Sequence, residues 1–357
     1  INQPTDYYYN PLTLHLEKFL GHTRVNQMTL CYGPRLGGDV LLDYLEKLAH
    51  TMNQTNENYF QFVWATSTFH GNLCQGAIGD ESVLKTLQWF EAQGHLEQTV
   101  FALMSDHGMR WGDVRSTLQG RLEENMPFLY LLIPGRFQEQ FPLAAKNLIE
   151  NQNKLTTHFD LHETLQDLSD LGRIFQRNVL RGSLFDKDLP RGISLFSPIP
   201  ARRTCKDAGI SEQWCVCDYI KPIQVENNTL VWDGASNVLK HINAMFTQYQ
   251  NCSTLSLQRV LNAQVILPGL DKPENEDEGI WEITSSDDPK LTKTEITLTI
   301  AFSVHPSNGT FEATITRRTH GNWTITDEIS RTNLYGDQSA CVDAYQLKKF
   351  CYCELPK

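Results

Sequence analysis

The chain has 357 residues, 40% of them hydrophobic and 20% charged, which is a globular composition and excludes a disordered one. Its 31 basic and 42 acidic residues leave a net charge of -11, which argues against a general nucleic-acid binder, because a phosphate backbone selects a basic face. No apolar run approaches the roughly 18 residues of a membrane span; the densest, Phe128–Ile133, is strand length.

Residues 1–35 read as irregular, broken by Pro4, Pro11 and Pro34. Val40–His50 has helical spacing through Leu41, Leu42, Leu45 and Leu48. Tyr59–Thr66, aromatic and β-branched, reads as a strand. Glu81–Ala92 is a helix with Asp80 placed as its cap. Gln98–Met104 and Pro127–Ile133 are continuous apolar strands, and Gln138–Asn151 and Phe159–Leu171 are helices. Strands alternating with amphipathic helices imply an α/β layer with a mostly parallel sheet. That pattern stops near residue 172. Beyond it, Gly234–Tyr249 is helical, and Leu255–Leu267, Ile296–Val304, Phe311–Arg317 and Trp323–Ile329 look like antiparallel strands. The acidic stretch Pro273–Glu278 reads as a solvated turn. The chain thus divides into an α/β domain over 1–200 and a smaller α+β domain over 201–357, stapled by disulfides.

Six of the nine cysteines form two matching Cys-x9-Cys-x-Cys sets: Cys205, Cys215 and Cys217, then Cys341, Cys351 and Cys353. Each set has Asp-Ala soon after its first cysteine and an aromatic residue before its second. Two readings compete. Zinc is one, but Cys-x-Cys lacks the usual knuckle spacing. Disulfides fit better, and the two sulfurs of a Cys-x-Cys pair then take different partners. Sequons begin at Asn53, Asn227, Asn251, Asn308 and Asn322. Together with the cysteines they point to an extracellular or secretory-lumen protein. The chain begins at Ile1 without a signal-peptide pattern, and an anchor upstream of it is compatible with this reading.

The sharpest chemical feature is an apolar strand running into Ser105-Asp106-His107-Gly108. Ligands of open α/β sheets bind beyond the carboxyl ends of the strands. Asp106 offers a hard oxygen and His107 an imidazole nitrogen, a pair that suits a divalent metal, Zn²⁺ ahead of Mn²⁺ or Ca²⁺. Gly108 permits the turn that lets neighbouring residues face one ion. His158 and His162 are also spaced for a helix-face clamp, but the glutamate of a His-Glu-x-x-His motif is absent between them.

With Glu123-Glu-Asn-Met-Pro127-Phe128 downstream, Ser105–Phe128 resembles the sulfatase-like branch of the alkaline phosphatase superfamily. It is closest to an animal family in that branch catalogued as a domain of unknown function. Leu155–Leu165 and Arg191–Cys217 are similar to the same family, so the resemblance covers roughly residues 1–220. It implies a partial alkaline-phosphatase/sulfatase-like sheet with helices on both faces over 1–200. It matches Asp106 and His107 to a metal-ligand pair, His158 to a second-site histidine and His70 to the remaining one. Gly71-Asn72 stand where the family often has an acidic residue, so one oxygen ligand is lacking. The nucleophile of the superfamily lies upstream of everything recognisable here. The chain therefore resembles the C-terminal half of such a protein, inactive as given, and Thr66, Ser67 and Thr68 do not stand where that pattern needs them. Three functions follow as expectations. The first is metal-dependent hydrolysis of a phosphoester or sulfoester, with Arg115 at an anionic substrate such as a small molecule, glycan or lipid headgroup. The second is a non-catalytic extracellular binding or structural protein on the same scaffold. The third is transfer of a phospho-headgroup.

Overall fold

A computed structural model describes residues 5–25, 28–71, 73–110, 112–179, 189–249, 251–267, 295–318 and 321–353. Its first elements are α1 (Asn10–Phe19), β1 (His22–Val25), β2 (Met28–Tyr32), β3 (Arg35–Leu36), α2 (Gly37–Thr55), α3 (Thr66–Phe69) and α4 (Gly76–Ala92). They are followed by β4 (Phe101–Met104), α5 (Leu118–Asn125), β5 (Leu129–Leu132), α6 (Gly135–Gln140), α7 (Pro142–Glu150), α8 (His158–Ser169) and α9 (Gly172–Val179). The last are β6 (Tyr219–Pro222), α10 (Thr229–Ala244), β7 (Ser256–Leu267), β8 (Glu295–His305), β9 (Thr310–Arg318), β10 (Thr324–Ile325), β11 (Ser330–Arg331) and α11 (Tyr345–Lys348). This is a mixed α/β chain whose C-terminal part carries disulfides. None of the described helices is long and apolar enough to cross a membrane. The acidic stretch 273–278 lies outside the described residues.

The chain forms two compact units, one of residues 1–105 and 128–142, the other of residues 106–127 and 143–357. The first unit holds the meander β1-β2-β3 and the pair β4-β5. Its core packs Leu45, Ala49 and Phe90, from α2 and α4, with Tyr59, Val63, Leu96 and Phe101 around them. The N-terminal stretch is more ordered than its prolines suggest. Pro11 falls in the first turn of α1, where a missing N–H costs nothing. Asp80 lies inside α4, which begins at Gly76, and does not cap it.

Two strand expectations need correction. Residues 59–65 alternate as a strand should, Tyr59 and Val63 inward and Phe60, Phe62 and Trp64 exposed, yet they pair with no strand among the described residues. Alternation fixes an extended conformation, not a partner. Strand direction also differs, for every strand pair among the described residues is antiparallel. Parallel strands need a crossover from one end of the sheet to the other. Between β4 and β5 the chain leaves and returns at the same end. The Ser105 N–H donates to the Phe128 carbonyl at 3.1 Å, and the Phe128 N–H donates to Ser105 Oγ at 3.2 Å.

The second unit is built on the sheet β10-β9-β8-β7-β6, with β11 also paired to β9. Period-two alternation gives β8 and β9 two distinct faces. Leu298, Ile300, Phe302, Phe311, Ala313 and Ile315 meet Val231, Ala235, Val238 and Ile242 of α10. Gly234 lets that helix come close: a Cβ there would stand 2.6 Å from Ile315 Cδ1 and 2.9 Å from Ile300 Cδ1. The opposite face is buried but polar. Thr297 meets Thr316, and Thr299 meets Thr314, each at 3.2 Å between hydroxyls, with Glu312 buried beside them.

Phe302 is fully buried in this core. Phe302→Ala is expected to cost about 3–5 kcal/mol, through lost transfer free energy and the cavity left behind. Denaturant unfolding monitored on the second unit checks this; a change below about 1 kcal/mol would contradict the assigned core.

Candidate functional site

Asp106 and His107 open the segment 106–127, which belongs to the second unit. The Asp106 Oδ1 accepts the His107 N–H at 3.0 Å, and Asp106 Oδ2 lies 3.3 Å from His107 Nε2. His107 Nδ1 is 2.6 Å from the Gly108 carbonyl oxygen, so Nδ1–H donates there and holds the ring with Nε2 turned toward Asp106. Carboxylate oxygen and imidazole nitrogen thus stand side by side, the donor chemistry of half a divalent-metal site. Gly108 is required for this turn on space alone. A Cβ would lie 2.3 Å from the Glu123 carbonyl oxygen, and the Gly108 N–H donates to the Glu124 carbonyl at 3.1 Å.

Glu124 is in turn fixed by buried charge. Arg115, Glu124 and Glu312 are 5%, 3% and 6% exposed, which leaves their charges nowhere to go but each other. Arg115 donates from Nη1 and Nη2 to the two Glu312 oxygens at 3.2 and 2.7 Å, while its Nε faces Glu124 Oε2. Burial raises the Glu124 carboxyl above the ordinary value, opposed by the Arg115 charge. Arg121 completes the attachment, donating to Gln264 Oε1 on β7 at 3.0 Å and to the Gln213 carbonyl at 3.4 Å. The segment carrying Asp106 and His107 is therefore held on the polar face of the C-terminal sheet.

Arg115, expected at an anionic substrate, is instead buried and engaged by two carboxylates. Glu124 holds the loop through its backbone carbonyl, which accepts the Gly108 N–H. Arg110, half-exposed, lies 3.9 Å from Glu124 Oε1 and 5.5 Å from the Trp214 ring. Glu312 escaped the sequence reading, although its alternation with Thr314 and Thr316 marks a polar face on a buried strand.

His158 is the exposed first residue of α8. Its surroundings are densely hydrogen-bonded. Thr157 and Asp160 form a capping box, and Asp160 also accepts from the Ile193 N–H at 2.6 Å and pairs with Arg203 at 2.8 Å, both side chains fully buried. Asn151 and Thr164 satisfy the backbone of Leu195, Ser197 and Ile199, so the turn-rich Arg191–Pro200 stretch is tied down despite its lack of regular structure. His70 belongs to the first unit and follows α3; Asn72 lies outside the described residues. Among the described residues, no third His, Cys, Asp or Glu joins Asp106 and His107 in a cluster of potential ligands. The three-ligand clusters found there are both made of cysteine.

The cysteines form Cys205–Cys215, Cys252–Cys351 and Cys341–Cys353. Five of the six expected residues are bonded. Cys217 is the exception, an exposed free thiol, and Cys252 takes the remaining place. Cys252 sits inside the sequon Asn251-Cys252-Ser253 and outside both triplets, so spacing gave no signal for it. Cys351 and Cys353 do take different partners.

A family model described as Protein of unknown function (DUF229) matches residues 1–261. The chain belongs to that family. No curated protein and no solved structure matches it. The DUF229 match takes in Asp106, His107, His158 and the first cysteine triplet, while Glu312 and the second triplet lie beyond it.

Glu312→Gln is expected to leave Arg115 with Glu124 as its remaining carboxylate and to cost about 1.5–3 kcal/mol, the range for hydrogen bonds to charged groups. It should also speed amide exchange at Gly108 more than in the sheet core, by loosening the Glu124 backbone. Hydrogen exchange read by mass spectrometry checks this, and unchanged protection over 106–127 would contradict the anchoring role.

Proposed function

We propose that this DUF229 protein is a metal-binding, phosphoester/sulfoester hydrolase-like member of the sulfatase-like branch of the alkaline phosphatase superfamily, with no nucleophile recognised among these residues. The observation that carries the reading is the Asp106–His107 pair, with His107 Nδ1 fixed on a backbone carbonyl and Nε2 beside the Asp106 carboxylate. Zinc suits one oxygen and one imidazole nitrogen better than calcium does. When bound, the ion supplies Lewis-acid stabilisation of charge on the ester oxygens. The chain's own residues supply the donors and their orientation. Asp106 gives the oxygen, His107 Nε2 the nitrogen, and Gly108 with Glu124 the shape of the turn. The resemblance names His158, in the same unit, as a further ligand.

Three disulfides and five exposed sequon asparagines, Asn53, Asn227, Asn251, Asn308 and Asn322, support an extracellular or secretory-lumen setting. A second reading, binding without catalysis on the same scaffold, is favoured by one observation. Among the described residues, Asp106 and His107 stand as a pair and not as a larger ligand cluster.

The test is metal content by elemental mass spectrometry on protein purified without chelator. Near-stoichiometric zinc or manganese that falls to background in Asp106→Ala is expected. Metal retained in full by the variant would overturn the site, and a metal-free wild type would favour the binding reading. Expression through a secretory pathway should further give a product whose mass falls on enzymatic removal of N-glycans. An unchanged mass would contradict the lumenal setting.

A further inference from the structure

The two cysteine triplets share a spacing but not a bonding pattern. In the second, the first and third cysteines are joined, Cys341–Cys353, and the middle one reaches outside to Cys252. In the first, the first and middle cysteines are joined, Cys205–Cys215, and the third is left as a thiol. All three sulfurs of this first set nonetheless lie within 4.8 Å of one another. The bond found in the second triplet is therefore within reach of the first, between Cys205 and Cys217.

The two candidate leaving sulfurs differ in setting. Cys215 is 3% exposed, while Cys217 is exposed at the start of the run into β6. Cys215 follows a short turn whose residues are fixed from several sides. The Gln213 N–H donates to Asp327 Oδ2 at 3.1 Å, the Gln213 carbonyl accepts from Arg121, and the Trp214 ring lies under Arg110. Cys217 is followed by Asp218, and partial desolvation of its sulfur, then the Asp218 charge, raises its thiol above the ordinary cysteine value although the residue is exposed. A low thiolate fraction makes attack slow near neutrality without preventing it.

We propose that Cys217 is an exchange thiol and that the first triplet interconverts between Cys205–Cys215 and Cys205–Cys217. The Cys217 thiolate attacks Cys205 Sγ, a Cys205–Cys217 bond forms, the Cys205–Cys215 bond breaks, and Cys215 leaves as a thiolate that takes up a proton. One disulfide and one thiol stand on each side of the step, so no oxidant or reductant is consumed. The exchange releases the sulfur next to Gln213 and Trp214, the two residues that contact Arg121 and Arg110. The thiol chemistry thereby adjoins the segment that carries Asp106 and His107, and it does not depend on any metal there.

The experiment maps the free thiol. The full chain is incubated at mildly alkaline pH without added redox reagent, quenched in acid, alkylated with N-ethylmaleimide in denaturant and digested for tandem mass spectrometry. Two populations are expected, one labelled at Cys217 with Cys205–Cys215 intact, the other labelled at Cys215 with Cys205–Cys217 formed. Cys31 and Cys74, outside all three disulfides, are labelled in either case, so the reading is taken within the first triplet: label there confined to Cys217 after prolonged incubation would overturn the proposal. Cys215→Ser provides a second reading: it should carry a Cys205–Cys217 disulfide, and recovery of both residues as alkylated thiols would refute the exchange. If that variant does not fold, the wild-type map decides alone.

Discussion

One buried guanidinium organises the second unit. Arg115 is shared between Glu124, nine residues on in its own segment, and Glu312 on a strand nearly two hundred residues later. Removing such charges from water is costly, so the arrangement persists only because each carboxylate finds the same cation. Its consequence reaches the surface. Glu124 carries the carbonyl that holds Gly108, and Gly108 sets the turn that aligns Asp106 with His107. An exposed Asp106 and a part-buried His107 are thus fixed by an ion network they do not touch. Arg121 reinforces the same attachment through Gln264 and Gln213.

This explains why the C-terminal sheet has two unlike faces. The face toward α10 is a conventional apolar core. The other is lined by threonines and Glu312, residues that would be poor choices against an apolar layer but suit an arginine-bearing segment. The sheet acts as a platform for residues 106–127. The DUF229 match ends at residue 261, short of β8 and β9, so the platform extends past the stretch by which the family is recognised.

Much of the fold was legible because it rests on local periodicity. Leu41, Leu42, Leu45 and Leu48 mark α2, and the long alternations in 255–267, 296–304 and 311–317 mark β7, β8 and β9. Pairing was less legible. Phe60, Phe62 and Trp64 alternate as a strand does, but alternation says nothing of hydrogen-bond partners, and the direction of β5 against β4 depends on where the intervening chain returns. At the candidate site, Asp106, His107 and Gly108 stood out because three consecutive residues carry the chemistry. The partner of Arg115 did not, since Glu312 becomes its neighbour only through tertiary packing. The same holds for Cys252, whose bond to Cys351 closes a separation of 99 residues with no motif to announce it.

Asp106 and His107 offer zinc oxygen and nitrogen donors, whereas the two clusters of cysteine sulfur offer it thiolates only where their disulfides are reduced. Zinc K-edge X-ray absorption on the zinc-loaded full chain separates them. The account predicts a shell of nitrogen and oxygen only, at about 2.0–2.2 Å with imidazole back-scattering. A dominant sulfur shell at about 2.3 Å would contradict it and place the ion on the cysteines.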